Sequence, residues 1–219
     1  SDEEFWAANN LILNRSKSVE IVFVALRSKR AVAIPSPAVP GFHRVDSIKI
    51  SGVTISRRFS LTDYVDHLLA ACAQTLFALR TLRQHGLPSD ALQLVFQATV
   101  IARLSYASPA WWGFTNAEDK ARLEAFLSRS VRLGFRSASR PTLGIICAEA
   151  DDRLFRRITC NTRHLLHALL PPPRDNHYEL RDRNHSFILP SRSSSLLDCN
   201  FIMRMLFKNL NYSTYSQLE

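Results

Sequence analysis

The sequence predicts an α+β fold in which a small β portion precedes a larger, mostly α-helical portion. Strand-like apolar runs are found before residue 58, whereas apolar residues recur at helical spacing over 59–170. The 219 residues include only 6 glycines, a low content that favours helices. After the three prolines 171–173 the chain becomes polar and basic, so we expect residues 171–219 to form an irregular, loosely structured extension.

The β portion contains two predicted strands. Residues 18–26, SVEIVFVAL, are apolar on both faces after their third residue, which is typical of a central strand. In residues 47–56, SIKISGVTIS, the alternation of apolar residues slips at Ser51-Gly52, which predicts a bulge or a sharp bend within the strand. Between the two lies the proline-rich connector 34–41, IPSPAVPG, which excludes regular structure there.

The helical portion begins at Ser60-Leu61-Thr62-Asp63, which has the form of a capping box. The first helix is predicted to end at Gly86, and the next, 89–107, is apolar nearly all round and should be the most buried. A second capping box, Thr115-Asn116-Ala117-Glu118, opens a helix through about 135, and further helix is predicted within 142–170. Residues of the first helix expected to face the core are Leu61, Val65, Leu68, Cys72, Leu76, Leu79 and Leu82.

The charge of the chain indicates a polyanionic partner. Lys and Arg number 28 against 19 Asp and Glu, which gives a net charge of +9. Nucleic acid is the commonest partner of such a protein, and the alternative is a basic protein without one. Four arginines at steps of three, four and four would form a stripe for phosphate contacts if one helix carried them all. They are Arg129, Arg132, Arg136 and Arg140, and the alternative interpretation is a solvated helix face.

Other candidate sites have simpler explanations. Asp151-Asp152 could hold a metal, but paired acids at a predicted helix start are better explained as caps. A zinc site could be formed by Cys147, Cys160, His164 and His167, but these residues lack the close cysteine pair that structural zinc sites use. Packing of these side chains on a helix face is the favoured interpretation, and no metal site is predicted. The Trp111-Trp112 pair is interpreted as core rather than as a base-stacking platform.

The cysteine spacing and hydropathy indicate the environment of the chain. The four cysteines have no regular spacing, which favours a reducing compartment over a disulfide framework. No apolar stretch reaches the roughly 18 residues of a membrane span. Residues 1–11 read as a helix already under way, so we expect the chain to be a piece of a longer protein or to begin at a processed start.

Two stretches together resemble the downstream end of reverse transcriptases of non-LTR retrotransposons, of the LINE-type, jockey-like kind. Residues 9–23, NNLILNRSKSVEIVF, resemble the family's fourth palm motif, and IKISGVTISRRFS resembles the fifth, the primer grip. The helices that follow resemble the thumb, and SYASPAWWGF through LLPPP resembles its continuation. The resemblance covers most of residues 5–173.

The resemblance implies a domain organisation and a function. Residues 1–58 would be the end of the palm, 59–170 the thumb and connection, and 171–219 a basic extension. The parent enzyme would be an RNA-directed DNA polymerase that uses Mg²⁺, acts in cytoplasmic and nuclear ribonucleoproteins, and binds an RNA template and a DNA primer. Lys17 would face the nucleotide phosphates, and Gly52, Val53 and Thr54 would contact the primer.

Two departures from the family pattern affect this interpretation. The family's catalytic aspartates belong to upstream palm motifs, and these motifs do not occur in the present sequence, so the chain alone is predicted to be inactive. Ser51 stands where the family has a leucine before the glycine, which we expect to cost on the order of 2 kcal/mol if that position is buried. The alternatives are a stand-alone basic helical module that binds nucleic acid or protein, and an inert product that does not fold stably.

Overall fold

The computed structural model describes residues 14–24, 37–174 and 185–208. Two compact units, Ser1–Tyr64 and Val65–Glu219, divide the chain. The mixture of small sheets and many helices confirms the predicted α+β class. The helix predicted over 1–11 lies outside the described residues. Among the described helices, none combines the length and the apolar content that crossing a membrane requires.

The described residues of the first unit form two separate two-stranded sheets. β1 (Val19–Glu20) pairs in parallel with β2 (His43–Arg44), and the ion pair between Glu20 and Arg44 supports this pairing at 2.9 Å. The strand predicted over 18–26 is therefore wrong in extent, since residues 21–24 are not part of a strand. One reason is that the backbone N–H of Val24 donates to the carbonyl of Arg57 rather than to a neighbouring strand. Residues 25–26 lie outside the described part.

The second sheet is a β-hairpin, which corrects the prediction of one bent strand over 47–56. β3 (Ser47–Ile50) and β4 (Val53–Ser56) are antiparallel, with Ser47 opposite Ser56 and Ile50 opposite Val53. Ser51 and Gly52 have φ angles of 47° and 88°, the left-handed pair that a two-residue hairpin turn requires. Ser51 is exposed, so the expected cost of replacing a buried leucine does not arise there.

The second unit is built from helices that follow one another closely. α1 begins at Thr62, before the boundary between the units, and continues into the second. The described helices are α1 (Thr62–Gln84), α2 (Ser89–Phe96), a π-helical turn (Gln97–Ile101), α3 (Ala102–Ser105), α4 (Ser108–Trp111), a 3₁₀ turn (Trp112–Phe114), α5 (Ala117–Arg132), α6 (Leu143–Cys160), a 3₁₀ turn (Leu165–Leu169), α7 (Ser195–Asp198) and α8 (Phe201–Leu206).

The predicted core face of α1 is confirmed except at its end. Val65, Cys72 and Leu79 are buried at helical spacing, but Leu82 is 42% exposed. The helix ends as predicted at Gly86, whose φ is 86°, and the N–H of the next residue donates to the Leu82 carbonyl at 3.0 Å. This backbone bond is typical of a glycine-terminated helix.

The prediction that 89–107 is buried all round is wrong. Leu94 is 71% exposed, whereas Leu92, Phe96, Val100 and Leu104 are buried at steps of four. The π-helical turn lies within this buried series. The segment is therefore an amphipathic helix with one core face, and the apolar residues on its outer face misled the sequence interpretation.

Two local predictions around the tryptophans have different outcomes. Trp111 is fully buried and its indole N–H donates to the Tyr106 carbonyl at 2.8 Å, so its interpretation as core is confirmed. The cap of α5 is one residue later than predicted, because the Asn116 side chain accepts from the Asp119 N–H at 2.7 Å. The Thr115 hydroxyl instead donates to the Trp111 carbonyl.

The described part of the extension is more ordered than the sequence predicts. Met205 and Leu206 of α8 are buried and form a cluster with Phe155 of α6. Further apolar residues of the extension, Phe187, Leu189, Phe201, Ile202 and Phe207, pack against this cluster. Residues 185–208 therefore form part of the core of the second unit, anchored on α6.

Candidate nucleic-acid interface

The predicted arginine stripe over 129–140 is interrupted in the structure. Arg129 and Arg132 are exposed in the last turn of α5. The helix ends at Arg132, and Gly134 follows with a φ of 75°, which turns the chain away from the helix axis. Arg136 and Arg140 consequently do not share a helix face with the first two arginines, and the proposed row of four phosphate contacts is wrong as a single stripe.

Arg136 is buried rather than surface-exposed. The residue is 8% exposed, and one guanidinium nitrogen donates to the carbonyl of Pro141. Burial lowers the pKa of this guanidinium, with Glu124 acting in the opposite direction and Arg140 adding to the decrease. Arg136 is therefore not part of an exposed row of arginines on the surface. Arg140 is exposed after a turn formed by residues 137–140.

A continuous arginine surface lies on α6 instead. Its core side is formed by residues at steps of four and three, including Cys147, Asp151, Phe155 and Ile158. The opposite side exposes Arg153, Arg156 and Arg157. Arg156 and Arg157 follow Arg153 by three and four residues, so all three lie on one face of the helix. These three residues are here called the α6 arginine face. Arg163, also exposed, follows shortly after the helix ends.

The electrostatic environment leaves the α6 arginine face available to a ligand. Within the described ranges, no acidic side chain forms an ion pair with Arg153, Arg156 or Arg157. The acidic neighbour Asp152 is bound to Lys208, whose Nζ lies 2.5 Å from its Oδ1. Guanidinium groups offer planar sets of donors that match phosphate oxygens, so three of them on one face can bind a nucleic-acid backbone. The spacing of these arginines in the sequence already indicates a shared helix face.

Asp151 and Asp152 are not a helix cap. Both lie in the middle of α6, so the interpretation as an N-terminal cap is wrong. Asp151 is 3% exposed and is bound by Arg204, at 2.5 Å from Nη1 to Oδ2. The pair thus connects α6 with the C-terminal extension. A contact between residues 53 positions apart could not be read from local sequence.

The weak zinc hypothesis finds no support in the arrangement of its residues. Cys147 is buried and Cys160 is exposed, while His164 uses Nδ1 to accept from the N–H of Leu166. Over the described ranges, no three His, Cys, Asp or Glu side chains are grouped so that they could hold a metal ion. All four cysteines are free thiols.

The site residues predicted in the first unit lie at two turns. Lys17 is exposed in a turn before β1, where the Asn14 side chain accepts from its backbone N–H at 3.2 Å. Gly52 is exposed in the hairpin turn, and Thr54 is partly exposed on β4. Val53 is 5% exposed and its side chain is buried.

Comparisons with protein-family models, with curated proteins and with solved structures give no match to this chain.

Proposed function

We propose that the chain contributes template–primer binding to an RNA-directed DNA polymerase of a non-LTR retrotransposon. The family resemblance of residues 5–173 supplies the identity in this proposal. The order of features along the chain supports it: a turn with an exposed lysine before a strand, then a hairpin, then helices with exposed arginines.

The observation that carries the nucleic-acid part of the proposal is the α6 arginine face. Its three guanidinium groups are exposed, share one side of a helix and have no acidic partner within the described residues. A net charge of +9 adds a long-range attraction for a polyanion. Arg129 and Arg132 at the end of α5 provide further exposed cations in the same unit.

Catalysis in the proposed parent enzyme belongs to residues outside this sequence. Polymerases of this kind use Mg²⁺ held by palm aspartates, and the corresponding motifs do not occur among these 219 residues. We therefore predict no nucleotide incorporation by the purified chain on a primed RNA template. Incorporation that survives mock-purification controls would contradict this part of the proposal.

The binding proposal is tested by removing the three charges of the α6 arginine face. In the variant Arg153→Gln, Arg156→Gln, Arg157→Gln, the affinity for an RNA–DNA duplex should fall, measured by fluorescence anisotropy over a range of salt concentrations. Each lost phosphate contact lowers the slope of log K against log salt by about 0.9, so three contacts lower it by roughly 2.7. A smaller change of slope means fewer direct contacts.

A matched control removes the same number of charges elsewhere. The variant Arg80→Gln, Arg174→Gln, Arg192→Gln has the same net charge as the test variant, and its three arginines are exposed at other positions. Arg192 is also paired with Asp198 at 2.9 Å, so a thermal denaturation curve must first show that this variant is folded. We expect it to retain most of the affinity. Equal losses in the two variants would show that only net charge matters and would refute a specific role for the α6 arginine face.

The second candidate function is a stand-alone basic helical module that binds nucleic acid without belonging to a polymerase. The α6 arginine face supports this function equally well, because all three of its arginines belong to the second unit. The two functions differ in the role of Lys17. Lys17→Ala should weaken binding to a recessed primer end with a bound nucleotide if the polymerase proposal is correct, whereas the module would bind with unchanged affinity.

A further inference from the structure

A cavity of about 300 Å³ lies in the helical unit beside the π-helical turn. Gln97 and Ile101 of that turn line one side, and Arg136, Arg140 and Ile146 line another. Single π-helical turns within α-helices occur frequently at functional sites, because the extra residue displaces the backbone and its side chains. The cavity is distinct from the α6 arginine face, and a ligand could bind it whether or not the proposed function is correct.

Arg136 is an incompletely satisfied cation at this cavity. It is 8% exposed, and among its nitrogens one donates to the Pro141 carbonyl while the buried Nε–H has no acceptor. Buried guanidinium groups normally have all their donors satisfied, since an unmet donor loses its hydration without compensation. The Nε–H is itself closed to solvent, so a ligand in the cavity would bind Arg136 through its terminal guanidinium nitrogens.

The charges lining the cavity favour an anion. Arg136 and Arg140 contribute two positive charges and Glu149 contributes one negative charge, so the lining carries a net charge of +1. In the described part of the chain, neither arginine forms an ion pair with a carboxylate. Gln97 is exposed and adds an amide that can donate. The walls at Ile101 and Ile146 are apolar, and the volume exceeds that of a phosphate ion.

We propose that this cavity binds a phosphate monoester that carries a small organic group. A phosphate dianion offers several acceptor oxygens to the two guanidinium groups, which can bind it bidentately. The apolar walls would contact the organic group. Such a ligand occurs both as a free nucleotide and as the 5′-phosphorylated end of a nucleic-acid strand, and the chemistry is the same for both.

The test compares adenosine 5′-monophosphate with adenosine by NMR titration of the full chain at constant ionic strength. We expect saturable shifts of residues around the cavity with the phosphorylated ligand and none with adenosine. Arg140→Gln should weaken binding at least tenfold, whereas the control Arg80→Gln, at an exposed arginine of α1, should leave it unchanged. Arg136→Gln should abolish binding. If that variant does not fold, Arg140→Gln still tests the proposal, because Arg140 is exposed and its substitution should not disturb the core.

Several results would overturn the proposal. Equal binding of adenosine and its monophosphate would show that the phosphate is not recognised, and equal losses in the Arg140 and Arg80 variants would show only general charge attraction. Succinate competing as well as the monophosphate would mean that any dianion is accepted. A 5′-phosphorylated oligonucleotide and its 5′-hydroxyl counterpart distinguish the sources. A preference for the phosphorylated strand over the free nucleotide identifies a strand end, and the reverse preference identifies a free nucleotide; both support the proposal.

Discussion

Substituting Arg204 with methionine removes the cation that binds a buried carboxylate. Arg204 Nη1 lies 2.5 Å from Asp151 Oδ2, and Nη2 lies 3.4 Å from Oδ1. The Asp151 side chain is 5% exposed and that of Arg204 is 22% exposed. Methionine keeps an unbranched apolar chain at this position, so Arg204→Met mainly removes the charge and its hydrogen bonds.

The expected cost follows from the burial of the remaining partner. Removing one member of a buried ion pair costs about 3–5 kcal/mol, because the other charge stays buried without compensation. Arg204 also donates to the carbonyls of Pro109 and Cys199, at 3.2 and 3.3 Å. Since Arg204 retains some contact with water, we expect the lower end, about 3 kcal/mol. For a unit of this size, that corresponds to a decrease in Tm of roughly 6–12 °C.

The assay is thermal and urea denaturation of the full chain, with Lys208→Met as the matched control. Lys208 forms the neighbouring ion pair with Asp152, but these side chains are 29% and 49% exposed. Surface pairs of this kind contribute about 1 kcal/mol or less, so the control should lose little stability. If Arg204→Met costs no more than Lys208→Met, the buried pair does not hold the extension on α6, and our reasoning about its packing is refuted.

Two further predictions concern the same unit. A Cβ at Gly113 would clash with the backbone carbonyl oxygen of Cys199 in the extension, so Gly113→Ala should release residues 185–208 to limited proteolysis. Gly144→Ala, where the nearest atoms lie at 3.8 Å, should leave proteolysis unchanged. Burial raises the pKa of Cys72 and Cys147 to about 11 from the ordinary value of 9.0, so thiol-reactive reagents at pH 8 should modify the exposed Cys160 first. Because these folded-state pKa values are raised, the associated stability is present below pH 9.0 and lost as the pH rises toward 11, and urea denaturation across that window measures the loss. A Cys72→Ala, Cys147→Ala variant with an unchanged pH profile would contradict it.

The helices of the second unit were largely predictable, because their core residues recur at local spacing. In α1 the buried positions follow the heptad-like pattern of the sequence, and Gly86 ends the helix by its left-handed backbone. The failure at Leu94 has a physical reason: apolar residues also occupy exposed positions, so a residue's hydrophobicity does not fix its side of the helix.

The candidate sites were less predictable, because they depend on chain direction and on distant partners. The arginine row over 129–140 assumed that α5 continues, but Gly134 ends it and places Arg136 in the interior. The roles of Asp151 and Asp152 depend on partners in the C-terminal extension, which local sequence cannot reveal. The hairpin was misread because Ser51-Gly52 is a weaker turn signal than Asn-Gly.

The most direct measurement of the central claim is the affinity of the unmodified chain for two nucleic acids of equal charge. One is an RNA template with a recessed DNA primer end, and the other is a blunt DNA duplex, both measured by competition anisotropy at physiological salt. Our account predicts tighter binding to the primed template, with that preference retained in the Arg80→Gln, Arg174→Gln, Arg192→Gln control. Equal affinities would contradict template–primer recognition, and absence of binding to either would contradict the nucleic-acid interface itself.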